Sequence, residues 1–235
     1  AVILNAPNQQ EVFNYYYTGD APVYAIPRGL GGDDDATYAE TQRIIAEHER
    51  IFTVLWATEE RDPNRIVENT LDSQAFEASS TWYGDVRLVK YASPADFPPP
   101  QTTDNAVYGG IIELTGYTLS AETINAGDVL QVQLQWQGLA PVEANYKVFV
   151  QMVDFDIFPP VVAQHDSDPG GGLYPTATWE VGATVLDNHA LIVPNDLTPS
   201  HYLLIVGLYN PDDPGQRLLL PDGTDFYTLG GVTVE

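Results

Sequence analysis

Val129-Leu-Gln-Val-Gln-Leu-Gln-Trp136 alternates apolar and amide side chains without a break from Leu130 onward. At two residues per repeat, Leu130, Val132, Leu134 and Trp136 share one face, and Gln131, Gln133 and Gln135 share the other. A half-buried strand gathers the glutamines on one solvated face; a helix would scatter them around its circumference. Trp136 follows the apolar parity and is read as core. The same period recurs to either side, over Gly110–Leu119, Tyr146–Val153, Val161–His165, Thr184–Val193, Tyr202–Tyr209, Arg217–Leu220 and Phe226–Val234. Clusters of Gly, Pro and Asp separate these runs. Evenly spaced short strands of this kind predict an immunoglobulin-like antiparallel β-sandwich over residues 107–235.

Upstream the pattern changes. Val2–Ala6, Pro22–Pro27 and Ile51–Ala57 read as short buried strands, with a final strand pair at Phe76–Ser80 and Val86–Tyr91. Between them lie helical periods. Asn8 with Glu11 forms a capping-box pattern ahead of Val12, Phe13 and Tyr16. Asp33-Asp34-Asp35 puts negative charge at the start of a helix over Ala36–Arg50. Asp62-Pro63 starts another, whose inner face is Ile66, Val67, Thr70 and Leu71. Strands alternating with helices predict a small, mostly parallel, Rossmann-like α/β domain over residues 1–95. Gly29 to Gly32 reads as a flexible turn. A proline-rich linker, 96–106, joins the two domains through Phe97-Pro-Pro-Pro-Gln-Thr-Thr-Asp-Asn105.

Composition narrows the function. The 235 residues carry a net charge of −24, from nine basic and 33 acidic side chains. That field repels phosphate backbones and anionic headgroups, so nucleic acid is not an expected partner. Zero cysteines exclude a disulfide framework, a thiolate metal site and a Cys nucleophile. The longest apolar run, Tyr202–Tyr209, is far short of the roughly twenty residues a membrane helix needs. The chain opens at Ala1 inside a strand-like run, and is read as a piece of a longer protein.

Ligands of α/β sheets sit beyond the carboxyl ends of parallel strands. Two loops have that place. Asn5, Asn8 and Gln9 offer hydrogen bonds to a sugar or headgroup, and Glu59 and Glu60 offer carboxylates for acid–base work. Helix capping and solvated charge explain the same residues. In the second half, His165, Asp166, Asp168 and Asp187 resemble a metal-ligand set, with Ca²⁺ favoured by the carboxylates. Loop acceptors around Pro169-Gly-Gly-Gly172 explain them equally. Tyr174 and Trp179 are candidates for a sugar-stacking platform. No Ser-His-Asp arrangement or G-x-S-x-G elbow stands out, and no catalytic residue is assigned.

Several stretches are similar to a known family. Val2-Ile-Leu-Asn-Ala-Pro-Asn-Gln-Gln-Glu-Val-Phe13 with Tyr15-Tyr-Tyr17, Leu55-Trp-Ala-Thr-Glu-Glu60 and Trp82-Tyr-Gly-Asp-Val-Arg-Leu88 carry the likeness in the first half. In the second it rests on Gln164-His-Asp166, Pro175-Thr176, Trp179-Glu-Val-Gly182, Asp187 and Gly207-Leu-Tyr209. They resemble the soluble tail of bacterial membrane glycosyltransferases that use polyprenyl-phosphate sugars, relatives of the protein mannosyltransferases and aminoarabinose transferases. The resemblance implies a non-catalytic accessory region on the extracytoplasmic face of the cell membrane. Its partners would be the membrane-embedded portion of the same polypeptide and a glycan or lipid-linked sugar. The family's catalytic carboxylate lies between early membrane helices, so no catalytic role transfers to any residue here. Two other readings stay open: a glycan-binding sandwich of a cell-surface protein, and a hydrolase with paired carboxylates.

Overall fold

Backbone pairing dominates this chain: strand accounts for 43% and helix for 19%, a β-rich fold. The computed structural model describes residues 1–29, 32–104 and 106–235. The Gly29–Gly32 turn and the end of the linker at Asn105 therefore fall partly outside the described residues. Two compact units emerge, Ala1–Pro94 and Ala95–Glu235.

The first unit runs β1 (Val2–Leu4), α1 (Gln10–Tyr16), β2 (Val23–Ala25), α2 (Asp34–Glu47), β3 (Arg50–Leu55), α3 (Thr58–Arg61), α4 (Ile66–Gln74), β4 (Phe76–Tyr83) and β5 (Val86–Ala92). Its strands lie in the order β2-β1-β3-β5-β4. Pairing is parallel in β2-β1-β3 and antiparallel in β3-β5-β4. The expected mostly parallel sheet is thus mixed. The two-residue Gly84-Asp85 turn folds β5 back along β4, and β5 enters the slot beside β3 that a simple crossover would have given β4.

Alternation sorts the residues of this sheet. Ile3, Ile51, Leu55, Val89 and Tyr91 face a core built with Ile44 and Ile45 of α2 and Val67 and Leu71 of α4. On the opposite face, Leu4 and Val54 lie under α1, which buries none of its own residues. The caps differ from one another. Asp33 caps α2 as expected, accepting from the Ala36 amide at 3.1 Å. Asp62 caps α4 at a distance, accepting from the Ile66 and Val67 amides at 2.8 and 3.0 Å across the intervening Pro63–Arg65 turn. Asn8 caps nothing. It sits inside a 3-10 turn, Pro7–Gln9, and α1 begins only at Gln10 with no side-chain cap.

The second unit holds β6 (Gln101–Thr102), β7 (Val107–Tyr108), β8 (Ile112–Leu119), β9 (Thr123–Ile124), β10 (Val129–Gly138), β11 (Lys147–Val153), β12 (Val161–Ser167), β13 (Thr184–Ile192), β14 (Ser200–Asn210), β15 (Asp213–Arg217) and β16 (Tyr227–Val234). One sheet is ordered β13-β10-β8-β6, with β7 also on β8; the other is β12-β11-β14-β16-β9, with β15 on β14. All these pairs are antiparallel except β16 with β9. Both sheets feed one core: Leu130, Val132, Leu134 and Trp136 from one side, Val148, Val150, Met152, Leu204 and Val206 from the other. The expected linker is not a bare spacer. Gln101 and Thr102 pair with Tyr117 and Gly116, and Ala106 is buried in the core. β15 covers Asp213–Arg217 rather than Arg217–Leu220. Among the described residues no helix is long and apolar enough to cross a membrane.

Candidate functional site

The polypeptide leaves β3 at Leu55 and turns sharply. Ala57 takes a left-handed conformation, φ 49°, and Arg65 does so before α4, φ 51°. For residues with a Cβ this costs on the order of 1–2 kcal/mol each. Both line a recess of about 380 Å³, together with Trp56, Thr58, Glu59, Glu68, Trp82, Asp85 and Arg87. Strain at two non-glycine positions bordering one concavity is a recognised sign of a functional surface. The volume lies in the small-molecule range of about 300–1,000 Å³.

The recess is built around Glu68. That carboxylate, 5% exposed on the inner face of α4, takes Arg65 at 2.7 Å and also pairs with Arg87 of β5. Burial pushes the Arg87 guanidinium below its usual value. Arg87 lies directly across the hairpin from Trp82 and sits 5.6 Å over its ring. Trp82 is nevertheless 65% exposed. A buried carboxylate thus fixes an arginine, and the arginine backs an exposed indole. On the other wall, the Trp56 indole N–H donates to Asp85 in the hairpin turn at 2.7 Å. Glu59 lines the same recess and is exposed.

The first-half candidates separate. Glu59 belongs to the recess, whereas Glu60, also exposed, is not part of its lining. Asn5 is fully buried and donates to Asp62 at 3.2 Å, so it ties the end of β1 to the cap of α4. Asn8 is exposed. Gln9 borders a different, mostly apolar hollow with Leu4, Val12, Phe13, Tyr16, Tyr17 and Val54. Sequence reasoning missed Trp56, Trp82, Asp85, Arg65, Glu68 and Arg87. The available signal was an indole directly after the clearest strand, and Trp82-Tyr-Gly-Asp85 as a hairpin tip.

The expected metal ligands do not converge. Period two turns His165 inward and Asp166 to the other face of β12, where burial raises the Asp166 carboxyl and Tyr209 hydrogen-bonds to it. Asp168 pairs with Lys147 at 3.4 Å. Asp187 is fully buried, and its donors are protein groups: the Gly170 amide at 2.9 Å, His189 Nε2 at 2.9 Å and the Trp136 indole N–H at 3.3 Å. His189 Nδ1 meets His165 Nδ1 at 2.8 Å, a hydrogen bond crossing the core from one sheet to the other. Among the described residues no group of three or more His, Asp or Glu side chains is placed to hold a metal. The aromatic platform is also corrected. Trp179 is 7% exposed and donates its indole N–H to the Tyr174 carbonyl at 2.8 Å, because the 3-10 turn at Thr176–Thr178 folds it inward. Tyr174 alone stays 43% exposed.

No protein-family model matches this sequence, and no curated protein matches it. Solved structures show limited likeness. A Niemann-Pick type C2 protein from the Japanese carpenter ant is 8% identical, covering 57% of this chain and 100% of its own, with a TM-score of 0.37. The C-terminal domain of wzt is 10% identical over 60% of this chain and 82% of its own, TM-score 0.33. A calcium-binding mutant of Bacteroides uniformis beta-glucuronidase 2 is 13% identical over 62% of this chain and 15% of its own, TM-score 0.32. At these scores none of the three bears on what this chain does.

Proposed function

We propose that this chain is a non-catalytic accessory region of a membrane-embedded glycosyltransferase, held on the extracytoplasmic face and engaging the substrate through the recess after β3. The same reading takes residues 1–95 as a Rossmann-like domain and 107–235 as an immunoglobulin-like sandwich. One observation carries it: two left-handed residues, two indoles and an exposed carboxylate surround one concavity at the carboxyl end of a parallel strand. Such a surface binds and orients. Its buried carboxylate is already neutralised by two arginines, which fits a holding role better than proton transfer.

The experiment is made in the complete protein in its membrane. Removing residues 107–235, and separately changing Glu59→Ala, is expected to reduce the transfer rate or narrow the range of acceptors. Unchanged rate and unchanged acceptor range in both variants would overturn the proposal.

A further inference from the structure

Resting on that reading, we infer that the recess after β3 takes a neutral pyranose, stacked on Trp82, and rejects sugars that carry a carboxylate or phosphate. A hexose ring presents a face of axial C–H bonds and an edge of hydroxyl groups. The C–H face needs a flat, electron-rich, accessible ring, and the hydroxyls need acceptors and donors around its margin.

Trp82 meets the first need. Its exposure would ordinarily leave the ring to swing, with a loss of rotamer freedom on binding. Arg87 behind one indole face limits that motion, and Glu68 in turn holds Arg87. The platform is therefore ordered before any ligand arrives. Around it stand Glu59 and Asp85 as acceptors and Thr58 as a hydroxyl.

Charge sets the class of sugar. Two arginines face three carboxylates in the lining, and both arginines are committed to one of those carboxylates, Glu68. What remains toward a ligand is the Glu59 carboxylate and Asp85, on a chain of net charge −24. A uronate or sugar phosphate would bring its charge beside these groups with no uncommitted cation among the described residues of the lining to meet it. Among the described residues Glu59 makes no ion pair, so no neighbouring cation offsets its charge toward a ligand, and only solvent and salt screen it.

The test follows the tryptophan fluorescence of the intact chain during titration with the methyl pyranosides of glucose, galactose and mannose, and with glucuronate and galacturonate at matched ionic strength. At least one neutral glycoside is expected to saturate, with the uronates weaker by about tenfold or more. Trp82→Ala is expected to weaken the neutral sugar by about tenfold while leaving circular dichroism and unfolding midpoint unchanged, since the ring is mostly in solvent. Glu59→Gln is expected to narrow the gap between uronate and neutral sugar. Failure of every neutral sugar to saturate, equal binding of uronates, or indifference to Trp82→Ala would each overturn the inference. Should Trp82→Ala disturb the fold, calorimetric titration of the milder Trp82→Phe decides, with intermediate affinity expected and unchanged affinity overturning it. The two proposals fail separately. Sugar binding with transfer unchanged in both the 107–235 deletion and Glu59→Ala sinks the accessory role alone; impaired transfer without sugar binding sinks the ligand class alone.

Discussion

Each unit buries an aspartate whose carboxyl is pushed off its ordinary value, Asp72 in the first and Asp187 in the second, and the two are driven in opposite directions. Asp72 of α4, 7% exposed, has one strong donor, the Tyr91 hydroxyl at 2.7 Å. Burial pushes its carboxyl up to about 7; the Tyr91 hydrogen bond and Arg65 pull the other way, while Glu77 adds to the rise. Asp187 of β13 is fully buried, so desolvation acts on it strongly too. There the charge and hydrogen bond of His189, the Gly170 amide and the Trp136 indole outweigh it and hold the carboxyl below its ordinary value. Burial has one sign for a carboxylate; the donors aimed at it decide the outcome. The second unit has built a home for an anion, whereas the first keeps a carboxylic acid.

The largest effect should come from breaking the better-furnished site. Asp187→Ala leaves His189, the Gly170 amide and the Trp136 N–H facing a vacated acceptor inside the core, at a cost of about 3–5 kcal/mol. Urea unfolding combined with peptide-resolved hydrogen exchange should show the loss confined to residues 95–235. A change below about 1 kcal/mol would mean that those donors find other acceptors, and the contrast between the two aspartates would be one of burial only.

Proton linkage sharpens the contrast. Asp72 holds its proton in the folded state between its unfolded pKa of 3.8 and about 7, so folding takes up a proton in that window. Stability of residues 1–94 therefore falls as pH rises from about 4 to 7, by at most about 1.4 kcal/mol per pH unit from this group. Asp187 has the reverse sign. Its contribution is full above its unfolded pKa and is lost as pH falls through the depressed folded one. Hydrogen-exchange protection around α4 and β5, corrected for the intrinsic pH dependence of amide exchange, should increase between pH 7 and pH 5, while protection around β13 holds steady and falls only at lower pH. Asp72→Asn keeps an acceptor for Tyr91 and removes the charge. It should flatten the slope in the first unit and stabilise the protein at pH 8; an unchanged slope would show that Asp72 is not its source.

How much of this was legible depended on the range of each signal. Strand parity is local: it placed Trp136 in the core, and the two-residue spacing of Asp187 and His189 sets them on one face of β13, where they hydrogen-bond. Nothing local tells that His165, on the other sheet, completes the chain with His189. That contact joins residues whose strands are not paired with each other. The entry of β5 between β3 and β4 is likewise a pairing choice made by the whole sheet, so direction was misread while the strands themselves were found. Trp179 lay in an aperiodic stretch, where sequence gives no parity from which to infer burial. Glu59 was singled out because loops after parallel strands have a known place, but part of the recess it lines comes from a hairpin more than twenty residues downstream.

Caps give the smaller tests. Asp62 accepts from two α4 amides and from Asn5, so Asp62→Ala should cost about 1–2 kcal/mol, read from the urea midpoint of the first unit. Its effect should stay below that of Asp187→Ala, because the three donors on Asp62 are neutral amides, whereas Asp187 also holds the charge of His189. A cost equal to that of Asp187 would remove the distinction between a capped helix end and a built anion site.

Asn8 is the limiting case. By sequence it has the better capping pattern, a polar residue with a glutamate three positions on, ahead of an apolar helical period. In the structure the chain passes through a 3-10 turn first, and no α1 amide reaches the Asn8 side chain. Asn8→Ala should therefore shift stability by less than about 0.5 kcal/mol, below the resolution of most unfolding curves and far below Asp62→Ala. A loss near 1 kcal/mol would show that Asn8 does cap α1 in solution, and that the helix starts earlier than Gln10. Between Asp187, Asp62 and Asn8 the residue chemistry is nearly the same. What falls from one to the next is the strength of the donors aimed at the side chain: a histidine, an indole and an amide on Asp187, three neutral amides on Asp62, and no α1 amide on Asn8.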